Sequence, residues 1–181
     1  MDDARRKLGE TRSLMKKDIY FDRMFGPGWP SFKELEPYFQ SPPQGRGWFH
    51  ESGNDSAGLD LIGVDGTEPL PEGKGRIDIR LSMWGNPELG VLLIYEKRGG
   101  GYREVYSSKG DLSKLRQWVR TLHDDPMPVG LFIPFAKAWL AVKEFMETEG
   151  KLPISIAWIK NSDLPEGTFP DPTVRLPGED D

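Results

Sequence analysis

The sequence has no cysteine, only two histidines and no long hydrophobic run. Without cysteine, the chain can form neither a disulfide bond, nor a thiolate nucleophile, nor a cysteine-ligated zinc site. No apolar run approaches the roughly 20 residues that a helix needs to cross a bilayer. The first residues also lack the apolar segment of a signal peptide. We therefore expect a cytoplasmic protein that makes no membrane contact.

Positive charge is also in deficit, because 24 Lys and Arg residues face 29 Asp and Glu residues, for a net charge of −5. Long-range attraction to nucleic acid is then weak or repulsive, whereas attraction to a basic protein is favoured. Basic residues do cluster on a polar helix predicted over residues 3–17, namely Arg5, Arg6, Lys7, Arg12, Lys16 and Lys17. We interpret this cluster as a solvated helix face rather than a nucleic-acid patch.

The most regular pattern covers residues 131–159. Pro134 suits the first turn of a helix, because its missing N–H would have no partner there. Apolar residues then recur at helical spacing until Gly150, which favours a left-handed C-terminal cap, and Pro153 prevents continuation. Beyond it, apolar residues alternate from Ile154 to Ile159, which predicts a strand with one face on a core.

Alternation and turn residues predict several antiparallel strands before this helix. One covers residues 77–83, a nearly continuous apolar strand follows at 90–96, and a hairpin loop rich in glycine leads into a strand at 102–107. A second helix is predicted from the capping residue Asp111 to Leu122, with apolar residues along one side.

These elements predict an α+β fold, in which a mainly antiparallel sheet carries helices packed on one face. We divide the chain into three parts. Residues 1–58 are a helical and loop extension packed on the core, residues 59–172 form the α+β domain, and residues 173–181 are a flexible acidic tail.

Neither histidine lies in a recognisable catalytic or metal-binding motif. His123 precedes two aspartates after the second predicted helix, where a helix cap or a solvated group is the common role. His50 precedes Glu51 but has no second candidate ligand at a fixed spacing. The three glycines from Gly99 do not open a helix, so they do not predict a phosphate site. We therefore expect no catalytic residue, metal ligand or cofactor. The alternative is a small hydrolase-type enzyme that uses His50 or His123 with nearby carboxylates.

Aromatic residues are the more informative group, since six are tryptophans. Trp118, Trp139 and Trp158 fall on predicted apolar faces and suit a core. Other aromatic residues lie in loops, at a strand end or beside acids, which is typical of an interface with a basic partner. An equally open alternative is that they cover the second face of the sheet beneath the N-terminal extension. The candidate interface residues are Trp48, Phe49, Asp60, Trp84, Tyr102, Glu104 and Tyr106.

Some of these patterns resemble a known family. The strand at residues 90–96 (GVLLIYE), the proline-led helix after Ile133, the exit EGKLP at 149–153 and the strand IAW at 156–158 are similar to immunity protein family 1. Asp163-Leu164-Pro165, followed by Phe169-Pro170, is a weaker point of similarity. The resemblance covers roughly residues 76–172, and its motifs are structural rather than chemical.

The resemblance implies that the protein binds and neutralises a cognate bacterial toxin in the cytoplasm. In this family the toxin is commonly a nuclease or a nucleic-acid deaminase, so the partner is expected to be basic. Protection needs near-complete occupancy, which corresponds to a binding free energy of about −12 kcal/mol or stronger. Such affinity needs an interface on the order of 1,600 Å² or larger. A non-catalytic adaptor domain is the further alternative, and it differs only in its partner.

Overall fold

The computed structural model describes residues 15–40 and 55–179. Within them, a mostly antiparallel sheet of eight strands carries a 13-residue helix on one face. The α+β prediction is therefore confirmed. Of the described helices, none is long and apolar enough to span a membrane.

The described residues contain ten strands and two α-helices. The strands are β1 (Lys16–Phe21), β2 (Met24–Phe25), β3 (Ser56–Ile62), β4 (Asp78–Asn86), β5 (Gly90–Gly99), β6 (Tyr102–Ser108), β7 (Trp118–Arg120), β8 (Pro126–Pro128), β9 (Phe132–Ile133) and β10 (Trp158–Lys160). The helices are α1 (Phe32–Leu35) and α2 (Phe135–Glu147), and 3₁₀ turns lie at Glu36–Phe39, Leu112–Lys114, Val129–Leu131 and Asn161–Asp163.

The main sheet has the strand order β10-β6-β5-β4-β3-β1-β2, while β7 and β8 form a separate pair. Strand β5 pairs with β4 along one edge and with two strands, β6 and then β9, along the other. Ser108 closes the junction between these two strands. Its hydroxyl accepts the N–H of Leu93 at 2.9 Å and donates to the carbonyl of Leu131 at 2.7 Å. Two backbone groups at the junction therefore have a partner.

Helix α2 begins and ends where the sequence predicts. Pro134 is its N-cap, and the apolar side that includes Ala138, Val142 and Phe145 is fully buried. Gly150 follows the helix with a φ of +97°, and its N–H donates to the carbonyl of Phe145 at 2.9 Å. A residue with positive φ is the usual way to end a helix, and glycine adopts it without strain.

The side chains beneath α2 come from every second residue of four neighbouring strands. Ile19, Leu59, Leu81 and Tyr95 lie in register on β1, β3, β4 and β5 and are buried in one hydrophobic cluster with Phe145. We call this side of the sheet the helix face. Because side chains alternate along a strand, the intervening residues point to the opposite side, which we call the open face.

A second hydrophobic cluster covers one end of the open face. It is built from Leu92, Met127, Leu131 and Phe132, with Trp84 and Ile94 packed against it. The segment over residues 112–133 supplies most of this cover. The other end of the open face, beyond Ile94 on β5, remains accessible to solvent.

The predicted helix from Asp111 to Leu122 is wrong in its extent. Asp111 does cap a turn by accepting the N–H of Ser113 at 3.0 Å, but the turn ends at Lys114 and β7 follows. Leu112, Leu115 and Val119 pack against the second cluster. Residues with helical spacing therefore form a turn and a strand, because the pairing of β7 with β8 and the burial of these side chains outweigh local helix propensity.

Two further local predictions are corrected. Lys16 and Lys17, assigned to the helix over residues 3–17, begin β1 instead, because pairing with β3 places Ile19 in the core. Residues 1–14 of that prediction lie outside the described residues. The strand predicted from Ile154 is reduced to β10, and Ile154 is 92% exposed. The carboxylate of Glu144 accepts the N–H groups of Ile154 and Ser155, which holds this segment in a turn.

The chain has regular structure or packed contacts on both sides of each predicted boundary. The division at residue 58 falls within β3, and β1 and β2 belong to the same sheet as the later strands. At the C-terminal end Leu176 is buried, and the guanidinium of Arg120 donates to the carbonyls of Pro172 and Val174 and to the carboxylate of Glu179. Arg120 also lowers the pKa of Glu179 to about 2.

Replacement of Phe145 tests the core. Phe145→Ala should lower the free energy of unfolding by about 3–5 kcal/mol, because a fully buried ring leaves a cavity. Leu140→Ala on the same helix is the control, since Leu140 is 53% exposed and should change stability by no more than about 0.5 kcal/mol. Urea denaturation of both variants measures this difference, and equal losses would contradict the assigned core.

Tyr95 should make the fold sensitive to alkaline pH. Burial, followed by the nearby charge of Glu104, raises the pKa of Tyr95 to about 12, and its hydroxyl donates to the carbonyl of Gly150 at 2.7 Å. An unfolded tyrosine has a pKa of about 10. The stabilisation is complete below that value and is lost as the pH rises towards 12. Denaturation between pH 9 and 12 should show a smaller decline for Tyr95→Phe than for the wild type.

Candidate functional site

The accessible part of the open face carries a row of alternating charges. Asp60, Arg80 and Glu96 lie side by side on β3, β4 and β5. The guanidinium of Arg80 donates to the carboxylate of Asp60 at 2.6 Å, and Arg103 on β6 donates to Glu96 at 2.7 Å. The register of the sheet therefore fixes the order of these charges, because directly opposite residues share a face.

A second group of charges lies beside this row, towards the β5–β6 hairpin. Arg76 donates to both carboxylate oxygens of Asp78, at 3.0 and 2.9 Å, in a bidentate geometry. Asp78 also accepts the N–H of Gly63 at 3.0 Å. Arg98, opposite Asp78 on β5, reaches Glu72 at 3.1 Å. Bidentate pairs hold both side chains in one orientation, so these charges are presented in fixed positions.

Except for Arg103 and Gly63, these residues line a cleft of about 270 Å³, which we call the charged cleft. Five of the lining residues are acids, Asp18, Asp60, Glu72, Asp78 and Glu96, and three are arginines, Arg76, Arg80 and Arg98. Carboxylates are therefore in excess. Arg80, Arg98 and Glu72 keep 52%, 51% and 64% of their side-chain surface exposed, so a partner can reach these charges directly. Asp60, Asp78 and Glu96 keep 15%, 14% and 20% and lie beside the arginines.

Two arginines of the cleft have pKa values raised by their carboxylate partners. The hydrogen bond to Asp60 raises the pKa of Arg80, and the hydrogen bond to Asp78 raises the pKa of Arg76. Burial raises the pKa of Tyr20, whose ring lies over Gly58 so closely that a Cβ there would sit 2.5 Å from the ring. The cleft therefore offers charges that hydrogen bonds hold in place.

The structure places the candidate interface residues that it describes at three locations. Asp60 lies in the charged cleft, whereas Trp84 lies on the open face at the covered end, packed against the second cluster. Arg80 and Glu96, which complete the row with Asp60, were missed by the sequence interpretation. The alternation of Asp78 and Arg80 with buried Ile79 and Leu81 indicated that the two charged residues share a face. It could not indicate which strands lie beside them.

Tyr102, Glu104 and Tyr106 lie on the helix face, at the edge of the sheet. Glu104 stands opposite Lys97, and Tyr106 stands opposite Tyr95, with ring centroids 6.3 Å apart. Tyr102 is 44% exposed and Tyr106 is half-buried. A groove of about 320 Å³ runs along this edge, lined by residues 103–106 and 160–162. These three residues therefore form a surface separate from the cleft.

The remaining candidates are placed as follows. Trp48, Phe49 and His50 lie outside the described residues. His123 lies in an exposed turn, where its backbone N–H donates to the hydroxyl of Thr121 at 3.3 Å. Among residues 15–40 and 55–179, no group of His, Asp and Glu has the arrangement of a metal site.

The three tryptophans assigned to the core are half-buried. Trp139 and Trp158 pack against the cluster under α2, and Trp139 lies 5.4 Å from the ring of Phe39. Trp118 donates its indole N–H to the carbonyl of Thr168 at 2.9 Å. Each combines apolar contact with a position near the surface, as tryptophan commonly does.

Comparison with known proteins adds no relative: no model of a protein family matches the chain, and neither the curated proteins nor the solved structures contain a significant match.

The row of charges should contribute little to stability. A double-mutant cycle with Asp60→Asn and Arg80→Met should give a coupling energy of about 0.5–1 kcal/mol that falls as salt is added, because Arg80 is half-exposed. The exposed pair Lys143 and Glu147, 3.8 Å apart, is the control and should couple by less than about 0.5 kcal/mol. A coupling of several kcal/mol for Asp60 and Arg80 would contradict the prediction, because it would show that the pair stabilises the fold.

Proposed function

We propose that this protein is an immunity protein that binds a basic bacterial toxin stoichiometrically and neutralises it. The observation that carries the proposal is the charged cleft, which has an excess of carboxylates and is accessible to solvent. The resemblance of residues 76–172 to immunity protein family 1 and the net charge of −5 support the same function.

The cleft suits a partner that itself binds nucleic acid. A nuclease or a nucleic-acid deaminase needs Lys and Arg side chains where it contacts phosphate groups. An inhibitor that presents carboxylates in fixed positions can pair with those side chains without reordering its own. Preorganisation lowers the entropic cost of binding, and charge complementarity accelerates the encounter of the two proteins.

Binding of this kind requires no reaction and no turnover. The arginines of the cleft then have a defined role. Arg80 and Arg76 keep Asp60 and Asp78 in one orientation, and they offer donors to acidic groups at the rim of the partner. Mixed charges also reject partners whose charge pattern does not match, since like charges brought together are costly.

Rescue of growth by this protein is the direct test. The gene beside the one that encodes it should encode the toxin, and its expression alone should stop bacterial growth. Co-expression of this protein should restore growth, and the two proteins should co-purify as a 1:1 complex. A toxic neighbour that this protein neither binds nor neutralises would contradict the proposal.

Variants of cleft residues test whether the toxin binds at the cleft. The double variant Asp60→Asn with Glu96→Gln should lower the association rate for the toxin about tenfold at low salt, with a weaker dependence on salt concentration. Glu147→Gln on α2 is the matched control, because it removes one exposed acid away from the sheet's open face. Stopped-flow measurement at several salt concentrations distinguishes the two. Identical rates for all variants would exclude the cleft from the interface.

A further inference from the structure

A groove of about 590 Å³, which we call the apolar groove, lies beside the charged cleft on the open face. Its apolar side chains are those of Met15, Pro27 and Ile62. Asp18 and Ile62 line both the groove and the cleft, and they lie on the open face because their neighbours Ile19 and Leu61 point into the core. A partner that contacts the cleft near Asp18 therefore also meets the groove.

Asp18 is the one acid of the cleft that has no ion pair among the described residues. Each of the other four acids is paired with an arginine. Asp18 stands directly opposite Asp60 across β1 and β3, and Arg80 is paired with Asp60 alone. Carboxylates directly opposite each other destabilise a strand pair, so this position favours a further cation.

The two lysines that line the groove are both engaged elsewhere. The ammonium of Lys16 lies 3.4 Å from the carboxylate of Glu68. Lys17 lies 3.2 Å from Glu149 and 4.9 Å from the centre of the Trp29 ring. Movement of Lys16 to the carboxylate of Asp18 would leave Glu68 without its lysine. In either arrangement, this region of the described structure has one carboxylate more than it has cations.

The carboxylate of Asp18 is held in position before any partner binds. Its Oδ1 accepts the backbone N–H of Ile19 at 3.0 Å, and Oδ2 accepts no hydrogen bond from the described residues. Gly26 packs so closely that a Cβ there would sit 1.6 Å from Oδ1. The carbonyl of Asp18 accepts the indole N–H of Trp29 at 3.0 Å. A group fixed in this way binds a cation at a lower entropic cost.

The surface beside Asp18 supplies the apolar contact that the cleft lacks. Half-exposed ion pairs accelerate association but contribute little binding energy, which comes mainly from apolar anchors buried near charged groups. Phe25 adds to the apolar surface, because it precedes Gly26 of the groove, stands opposite Tyr20 on the open face and is 74% exposed. Affinity and charge recognition can therefore be combined at this corner of the sheet.

We infer that the partner protein inserts an apolar side chain into the apolar groove and places a neighbouring lysine or arginine opposite Asp18. The apolar side chain would contact Met15, Pro27 and Ile62, and the cation would complete the charge of Asp18. A second copy of this chain is a poorer occupant, because it would bring the same acidic excess to this face. That the partner is a toxin rests on the proposed function; the recognition of an apolar and a basic residue together does not.

Small peptides test the groove without the toxin. The probe is a capped dipeptide of tryptophan and arginine. One control peptide has glutamate in place of arginine, and the other has glycine in place of tryptophan. In an NMR titration of the full chain, the probe should bind at least about tenfold more tightly than either control, with a dissociation constant on the order of 1 mM. Amide signals should shift at Ile19, Gly26 and Ile62. No binding, equal binding of either control, or shifts centred on β6 would overturn the inference.

Variants separate the contributions of charge and apolar contact. Asp18→Asn keeps the size of the side chain and should weaken the probe about tenfold, while the matched control Asp163→Asn, in an exposed turn at the opposite edge of the sheet, should not. Ile62→Ala should weaken it about fivefold, and the control is Leu140→Ala on α2. If Ile62→Ala does not fold, Asp18→Asn still decides the question. Unchanged binding by Asp18→Asn would overturn the inference.

Two other occupants of the groove give different results. Residues 1–14 precede Met15 and contain both leucine and arginine. If the double variant Leu8→Ser with Arg12→Ser binds the probe about tenfold more tightly than the wild type, these residues occupy the groove and the inference is overturned. A dimer of the wild type that Phe25→Ser dissociates would show that a second copy occupies it, with the same consequence. A monomer whose probe affinity is unchanged in the double variant supports a foreign partner.

The same variants tested with the toxin distinguish the two proposals. Asp18→Asn and Ile62→Ala should each accelerate dissociation of the complex about tenfold, because they remove contacts made after the encounter. If the wild type neutralises the toxin and both variants dissociate as slowly as the wild type, the inference is wrong and the proposed function stands. If the wild type does not bind the toxin, the proposed function fails, and the peptide result alone decides what the groove recognises.

Discussion

The side chains of the central strand β5 alternate between the two faces of the sheet and meet three different environments. The rest of the fold depends on this constraint. Val91, Leu93 and Tyr95 point to the helix face and are buried. Leu92 and Ile94 point to the open face beneath the second cluster. Beyond them, Glu96 and Arg98 point to the same face but line the charged cleft. A shift of one residue would bury these charges and expose the core, so the register is strongly specified.

This arrangement explains why the cleft and the core can coexist within a few residues of each other. The core is completed by α2 on one face, and half of the other face is covered by residues 112–133. The uncovered half must then be polar. Its ion pairs that include Arg80, Arg98 and Arg103 leave at least half of each arginine exposed, so they are worth little in stability and their arrangement is available for recognition. The proposed toxin contact lies in this uncovered half.

The elements that the sequence predicted well are those with a strong local pattern and clear ends. Helix α2 has a proline at its start, an apolar stripe and a glycine at its end. Of the strands around residues 77–107, the first alternates cleanly and the second is nearly continuously apolar. The errors lie where a local pattern was ambiguous. The apolar residues after Asp111 have helical spacing, but they pack against the second cluster from a turn and a strand. The alternation after Pro153 is interrupted because the carboxylate of Glu144 binds two of its N–H groups.

The sequence by itself determined the fold class, the main helix, the alternation that separates core from solvent, and the acidic balance that favours a basic partner. Only the tertiary structure decided which residues share a surface. Asp60, Arg80 and Glu96 are far apart along the chain and meet through strand register, whereas Tyr102, Glu104 and Tyr106 fall on the other face. The physical reason is that a strand specifies its own two faces by alternation, but its neighbours are chosen by burial and backbone pairing over the whole sheet.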